Sequence, residues 1–185
     1  DMKPYINEYF QRLEEELKYV EGIHDKKIVF VGVDYLFPIF KEANSSFNIS
    51  EKNIEGNPDQ WDLQEIHKKV RPIIEDMQAN EVNEGKNKYR EMAGTGKSSY
   101  DIHDIVKASV DGKVETLFAV KDHDIKGYFD QGEYKREVSI DENGKSLDNI
   151  AVLHTIKNNG KVILVDQEDI PEKETTSAIA AVYRY

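Results

Sequence analysis

The sequence predicts an α/β protein: an α/β sandwich over residues 61–185, preceded by a helix–strand–helix piece and connector over residues 1–60. Three observations predict it. Short runs rich in β-branched and small apolar residues, at Lys27–Val33, Val114–Val120 and Ile179–Tyr185, have the length and composition of buried strands. Between them, apolar residues recur three and four apart, the period of a helix with one buried face. The strand–helix–strand order after Gly112 implies a parallel pair joined by a right-handed crossover.

The elements follow in order. Ile6, Tyr9, Phe10, Leu13, Leu17 and Val20 make one apolar stripe on a helix over residues 3–20, which Gly22 stops. Lys27–Val33 (KIVFVGV) is the first strand. Asp34 is placed to cap a second helix through Ala43, with Pro38 in its first turn, where a missing N–H does little harm. A lone strand cannot satisfy both of its hydrogen-bonding edges, so Lys27–Val33 either joins a sheet built later in the chain or has its partners upstream of Asp1 in a longer protein, and the second is the expectation. Residues 44–60 are rich in Asn, Ser and Gly and read as a connector with an extended stretch at Phe47–Ser50. The turn signal Gly56-Asn57-Pro58-Asp59 places the domain boundary at residue 60.

Asp62 then caps a long helix to about Met92, with Leu63, Ile66, Val70, Ile73, Ile74 and Met77 as its early stripe and Tyr89 and Met92 as later anchors. Pro72 inside it is expected to kink or split it, and Gly94 and Gly96 end it. Asp101 caps a helix through Val110, closed by Gly112, and Val114–Val120 is a strand. Residues 121–145 are polar and glycine-punctuated, with a hairpin through Tyr128-Phe129 and Tyr134–Val138. Ser146 caps a helix through Asn158, Gly160 ends it, and Val162–Val165 and Ile179–Tyr185 are the remaining strands.

Composition excludes several functions. No apolar run approaches the ~20 residues of a membrane span. Cysteine is absent, so thiol catalysis and disulfides are excluded, in keeping with a reducing cytoplasm. A net charge of −11 argues against a coat for naked nucleic acid, which needs a basic face.

The candidate chemistry is sparse. Gly94-Thr95-Gly96-Lys97-Ser98 ends like a phosphate-binding loop, but the position that must hold the opening glycine is Glu91, and the preceding segment reads as a helix. Asp141-Glu142-Asn143-Gly144 begins like a calcium loop, yet Ser146 and Val152 stand where its Gly and Glu belong, so a tight turn is expected. Asp101, His103 and Asp104, and again Asp122, His123 and Asp124, combine residue types that bind divalent ions. Asp101 is read as a helix cap, whereas Asp122–Asp124 and Asp166–Asp169 follow strands, where α/β folds place sites. No Gly-x-Ser-x-Gly elbow is present, and His24, His67 and His154 are isolated. No catalytic, cofactor-binding or metal residue is assigned.

Several blocks resemble a known family. Asp111–Val120 (DGKVETLFAV), the helix and glycine at Asn149–Gly160, Lys161–Val165 and Ala178–Tyr185 (AIAAVYRY) look like the C-terminal domain of class-1 archaeal and eukaryotic release factors and Pelota. Phe30–Phe40 (FVGVDYLFPIF), Ile54–Pro58 (IEGNP) and Ala93–Gly96 (AGTG) are similar to blocks of the bacterial archaeo-eukaryotic release factor families. The resemblance implies a three-layer α/β/α sandwich at residues 61–185. It also implies that residues 1–60 are the end of a middle domain with a ribonuclease-H-like fold. In the better-known relatives that middle domain carries a Gly-Gly-Gln tripeptide that enters the ribosomal peptidyl-transferase centre, and the C-terminal domain docks GTPases or recycling ATPases. No Gly-Gly-Gln occurs here, so no hydrolytic role is assigned. The reading is a cytoplasmic, translation-associated protein that docks at the ribosome or on a protein partner, without a membrane or naked nucleic acid. The alternative is an enzyme or a small-ligand or metal-binding module using Asp122–Asp124 and Asp166–Asp169.

Overall fold

The computed structural model describes residues 2–131, 136–172 and 177–185, and the chain divides into two units, Asp1–Met77 and Gln78–Tyr185. The first unit opens with helix α1 (Lys3–Leu17), whose stripe buries Phe10. Strands β1 (Lys27–Ile28) and β2 (Val31–Gly32) follow, then a 3₁₀ turn at Asp34–Leu36 and helix α2 (Phe37–Ala43). Asp34 therefore does not cap the helix; it sits inside the 3₁₀ turn and accepts a hydrogen bond from Asn53 Nδ2 at 3.1 Å.

The expected connector supplies β3 (Asn48–Ile49) and β4 (Ile54–Glu55), which run parallel to β1 and β2 respectively. The strand partners seen for this segment thus lie downstream in the chain, where they were expected upstream. The carbonyls of Ile28, Phe30 and Gly32 accept from the amides of Ser50, Ile54 and Gly56 in turn. That alternation belongs to one extended segment, broken on the partner side by Glu51-Lys52-Asn53. Phe10, Phe40, Phe47, Ile39 and Ile49 form the buried core of this unit, with the Phe10 and Phe40 rings edge to face at 5.4 Å.

Helix α3 (Leu63–Met92) starts with a reciprocal cap. The Asp62 carboxylate accepts from the Glu65 amide at 2.8 Å, and Glu65 accepts from the Asp62 amide at 3.2 Å. It is a single helix through Pro72, so the proline does not split it. Gly94 and Gly96, both with left-handed φ, end it.

In the second unit, β5 (Ser98–Ser99) precedes α4 (Ile102–Val110), which is capped by Asp101 through the His103 amide. Strand β6 (Val114–Val120) leads into a hairpin of β7 (Lys126–Gln131) and β8 (Arg136–Ile140), with β9 (Lys145–Ser146) pairing on the other side of β7. The Tyr134 end of the expected hairpin lies outside the described residues. Ser146 caps α5 (Leu147–Lys157) through the Asn149 amide, and β10 (Lys161–Val165) and β11 (Ile179–Tyr183) complete the chain. The main sheet has the order β10-β6-β11-β5, with β10 parallel and β11 antiparallel to β6.

Alternation along the strands makes this unit a three-layer α/β/α sandwich. Leu117, Ile179 and Ala181 face Ile105, Val106, Leu147 and Ala151 of α4 and α5. Phe118, Ala180, Val182 and Ile163 face Tyr89, Val82 and Met92 of α3. Helix α3 approaches the sheet at Gly85, where an added Cβ would stand 2.5 Å from the Phe118 ring.

Candidate functional site

The parallel strands β6 and β10 end side by side, and the two loops nominated from sequence leave from those ends. Lys121 Nζ lies 3.2 Å from Asp166 Oδ1 and joins them. Asp122 takes a left-handed φ of 56°, which aspartate tolerates better than most residues, and turns the chain after β6. The loop is then fastened to α5: Asp148 Oδ2 accepts from the Ile125 amide at 2.6 Å and stands 3.5 Å from His123 Nδ1. The Asp148 side chain is only 10% exposed. Burial raises its pKa; the Ile125 amide and His123 oppose that rise, and Asp124 adds to it. On the β10 side, the 3₁₀ turn Gln167–Asp169 is held by Lys86 of α3, whose Nζ is 2.5 Å from Asp169 Oδ1.

The two loops are therefore brought together, but as an ion-paired rim. Asp148, Asp166 and Asp169 each engage a lysine, an amide or a histidine of the chain. Among the described residues no group of three or more His, Asp or Glu is arranged to hold a metal ion. Sequence reasoning missed Lys86 and Asp148. The first hid in a polar stretch of α3, where its spacing from Val82 and Tyr89 was the available signal. The second was read only as part of a helix start.

The other nominated motifs resolve into structure. Gly94 lies beside a depression of about 400 Å³ that Tyr89, Ser98, Asp101, Asp104 and Glu172 also line. Its carboxylates would repel phosphate, and the segment continues into β5 of the sheet. Burial, with the Glu172 charge beside it, pushes the Tyr89 hydroxyl up to about 12. Burial acts to raise the Asp101 pKa, but the His103 amide and ring, both at 2.8 Å, outweigh it and leave the group below its usual value. Asp141–Gly144 is a tight turn closed by the Gly144 amide on the Asp141 carbonyl at 2.9 Å. His24 is stacked on Phe47 with ring centroids 5.1 Å apart.

The family model of bacterial archaeo-eukaryotic release factor family 3 matches residues 1–113. The chain belongs to this family. No curated protein sequence matches the release factor family chain. Its fold is similar to that of archaeal Pelota, described as ribosome-bound together with ABCE1: TM-score 0.60, 17% identity, covering 98% of this chain and 49% of that one. It is also similar to S. cerevisiae Dom34, described as a translation termination-like factor in RNA quality control that interacts with Hbs1. There the TM-score is 0.54 and the identity 14%, covering 96% of this chain and 51% of that one. This family member thus spans about half the length of the structures it resembles.

Proposed function

We propose that this release factor family chain is the C-terminal portion of a translation-associated cytoplasmic protein. It docks at the ribosome through protein contacts and supplies no catalytic group. Residues 1–60 are read as the end of a ribonuclease-H-like middle domain and residues 61–185 as the C-terminal docking domain. Family membership carries the reading. The Pelota-like and Dom34-like fold supports it, since archaeal Pelota is described as ribosome-bound with ABCE1 and Dom34 as interacting with Hbs1. The sequence has no Gly-Gly-Gln, and its net charge of −11 suits protein contacts better than bare ribosomal RNA.

Co-sedimentation of the natural protein with ribosomes tests this, using lysates from growing, antibiotic-stalled and starved cells. Association in at least one state is expected. Absence from the ribosomal fractions in all of them would sink the reading.

A further inference from the structure

We infer that the depression between the end of α3, the start of α4 and the segment after β10 is a socket for one arginine side chain of a partner protein. Its volume of about 400 Å³ lies in the range of ligand pockets. Its lining carries charge of one sign. Asp101, Asp104 and Glu172 bring carboxylates, Tyr89 and Tyr100 bring phenols, and among the described residues no lysine or arginine lines it.

Two of the three carboxylates are not neutralised within the chain. Asp101 is engaged, accepting from the His103 amide and facing the His103 ring. Asp104 and Glu172 have no lysine or arginine partner among the described residues. Glu172 stands beside the Tyr89 hydroxyl, which burial and that charge push up to about 12. A separate observation points into the same place. The Tyr183 hydroxyl is buried and has no hydrogen-bond partner among the described residues. The polar groups that act on it are Ser99, Asp104 and Asp101, all three in the lining of the socket. A buried hydroxyl left unpaired is costly, and a donor entering from the socket removes that cost.

The lining selects the occupant. Phosphate or an acidic peptide is repelled by the carboxylates. Among the described residues no group of three His, Asp or Glu is arranged to hold a metal ion. A guanidinium carries a permanent charge and five donors in a planar fork, enough to serve two carboxylates and a hydroxyl together. It also stacks on aromatic rings, and Tyr100, 46% exposed, offers one at the open side. A free amino acid would bring its own carboxylate against Asp104 and Glu172, whereas an arginine within a protein chain brings none. The net charge of −11 draws a basic protein surface toward this one. That the arginine belongs to a protein rests on the docking function proposed above; the cation site does not.

Titration of the intact chain with the tripeptide acetyl-Gly-Arg-Gly-amide, followed by backbone amide chemical shifts, tests the inference. Saturable shifts at Ser99, Tyr100 and Asp104 are expected, with a dissociation constant of about 1–10 mM that rises with salt. The same tripeptide with citrulline in place of arginine keeps the shape without the charge and should not saturate. Asp104→Asn and Glu172→Gln, checked for folding by circular dichroism, should each weaken binding about threefold. The double variant should weaken it further. No saturation by about 50 mM, equal binding of the citrulline tripeptide, or undiminished binding to the double variant overturns the inference. Free arginine that binds as tightly as the tripeptide overturns the protein source. Ribosome co-sedimentation is scored separately. Absence of the wild type from ribosomes sinks the docking function alone, and failure of the tripeptide sinks the socket alone.

Discussion

Asp148 shows how one carboxylate can be both structural support and liability. It accepts the Ile125 amide and faces His123, yet burial raises its pKa. A carboxyl group whose folded pKa exceeds its unfolded value binds protons more tightly in the folded state. Its ionisation therefore subtracts stability as pH rises through the window between the two values, and acidification relieves that loss. Asp148→Asn keeps an acceptor for the Ile125 amide without the charge. Urea unfolding at pH 4 and pH 7 should show the variant gaining on the wild type at the higher pH. Asp148→Ala leaves that amide without its partner and should cost about 1–3 kcal/mol at either pH.

Lys86 and Asp169 form an asymmetric pair, with side chains 9% and 51% exposed. Removing the carboxylate strands a buried ammonium, whereas replacing the lysine by methionine removes the buried charge and keeps the volume. Asp169→Ala should therefore destabilise by about 1–3 kcal/mol, allowing for the exposed side of the pair, and Lys86→Met by less. Chemical denaturation of both variants checks the order; a larger loss in Lys86→Met contradicts it.

At the scale of elements, helix α3 continues through an exposed proline. A proline in a helix interior removes one hydrogen bond and crowds the carbonyl four residues earlier, here that of Lys68. Pro72→Ala should raise the melting temperature, with a gain of roughly 1–3 kcal/mol, measurable by calorimetry. The elements that were legible in sequence are those specified locally. The caps at Asp62, Asp101 and Ser146 hold as read, because each needs only its own side chain and an amide two or three residues on. Strand pairing is not local. Strands β3 and β4 are two residues each, in a segment rich in asparagine and serine, and only a partner more than 20 residues away makes them strands. The same reason hid Lys86, whose carboxylate lies 83 residues along the chain. Asp122–Asp124 and Asp166–Asp169 stand out in sequence because they follow strands, and strand ends are a property of topology. Their ion pairs join residues 45 and 83 positions apart, which no local pattern specifies.

The whole molecule is dominated by a surplus of carboxylates, 36 Asp and Glu against 25 Lys and Arg. Like charges spread over a small surface repel one another in the folded state, and salt screens that repulsion over a Debye length of about 8 Å at physiological ionic strength. Thermal unfolding at low salt and at 0.3 M sodium chloride should show a higher midpoint in the salt. An unchanged or lower midpoint would mean that the exposed pairs, such as Lys52–Asp76 and Arg71–Glu75, outweigh the net charge. The same surplus makes a basic protein partner a faster collision than another acidic one.

The gap at Glu51-Lys52-Asn53 has a consequence for how the first unit opens. The Ser50 amide on one side, and those of Ile54 and Gly56 on the other, hold the same extended segment, but nothing in the ladder ties the two halves together. They are two latches on one door. Either is expected to release while the other stays shut, with the Ser50 amide exchanging with solvent at a rate independent of the Ile54 and Gly56 amides.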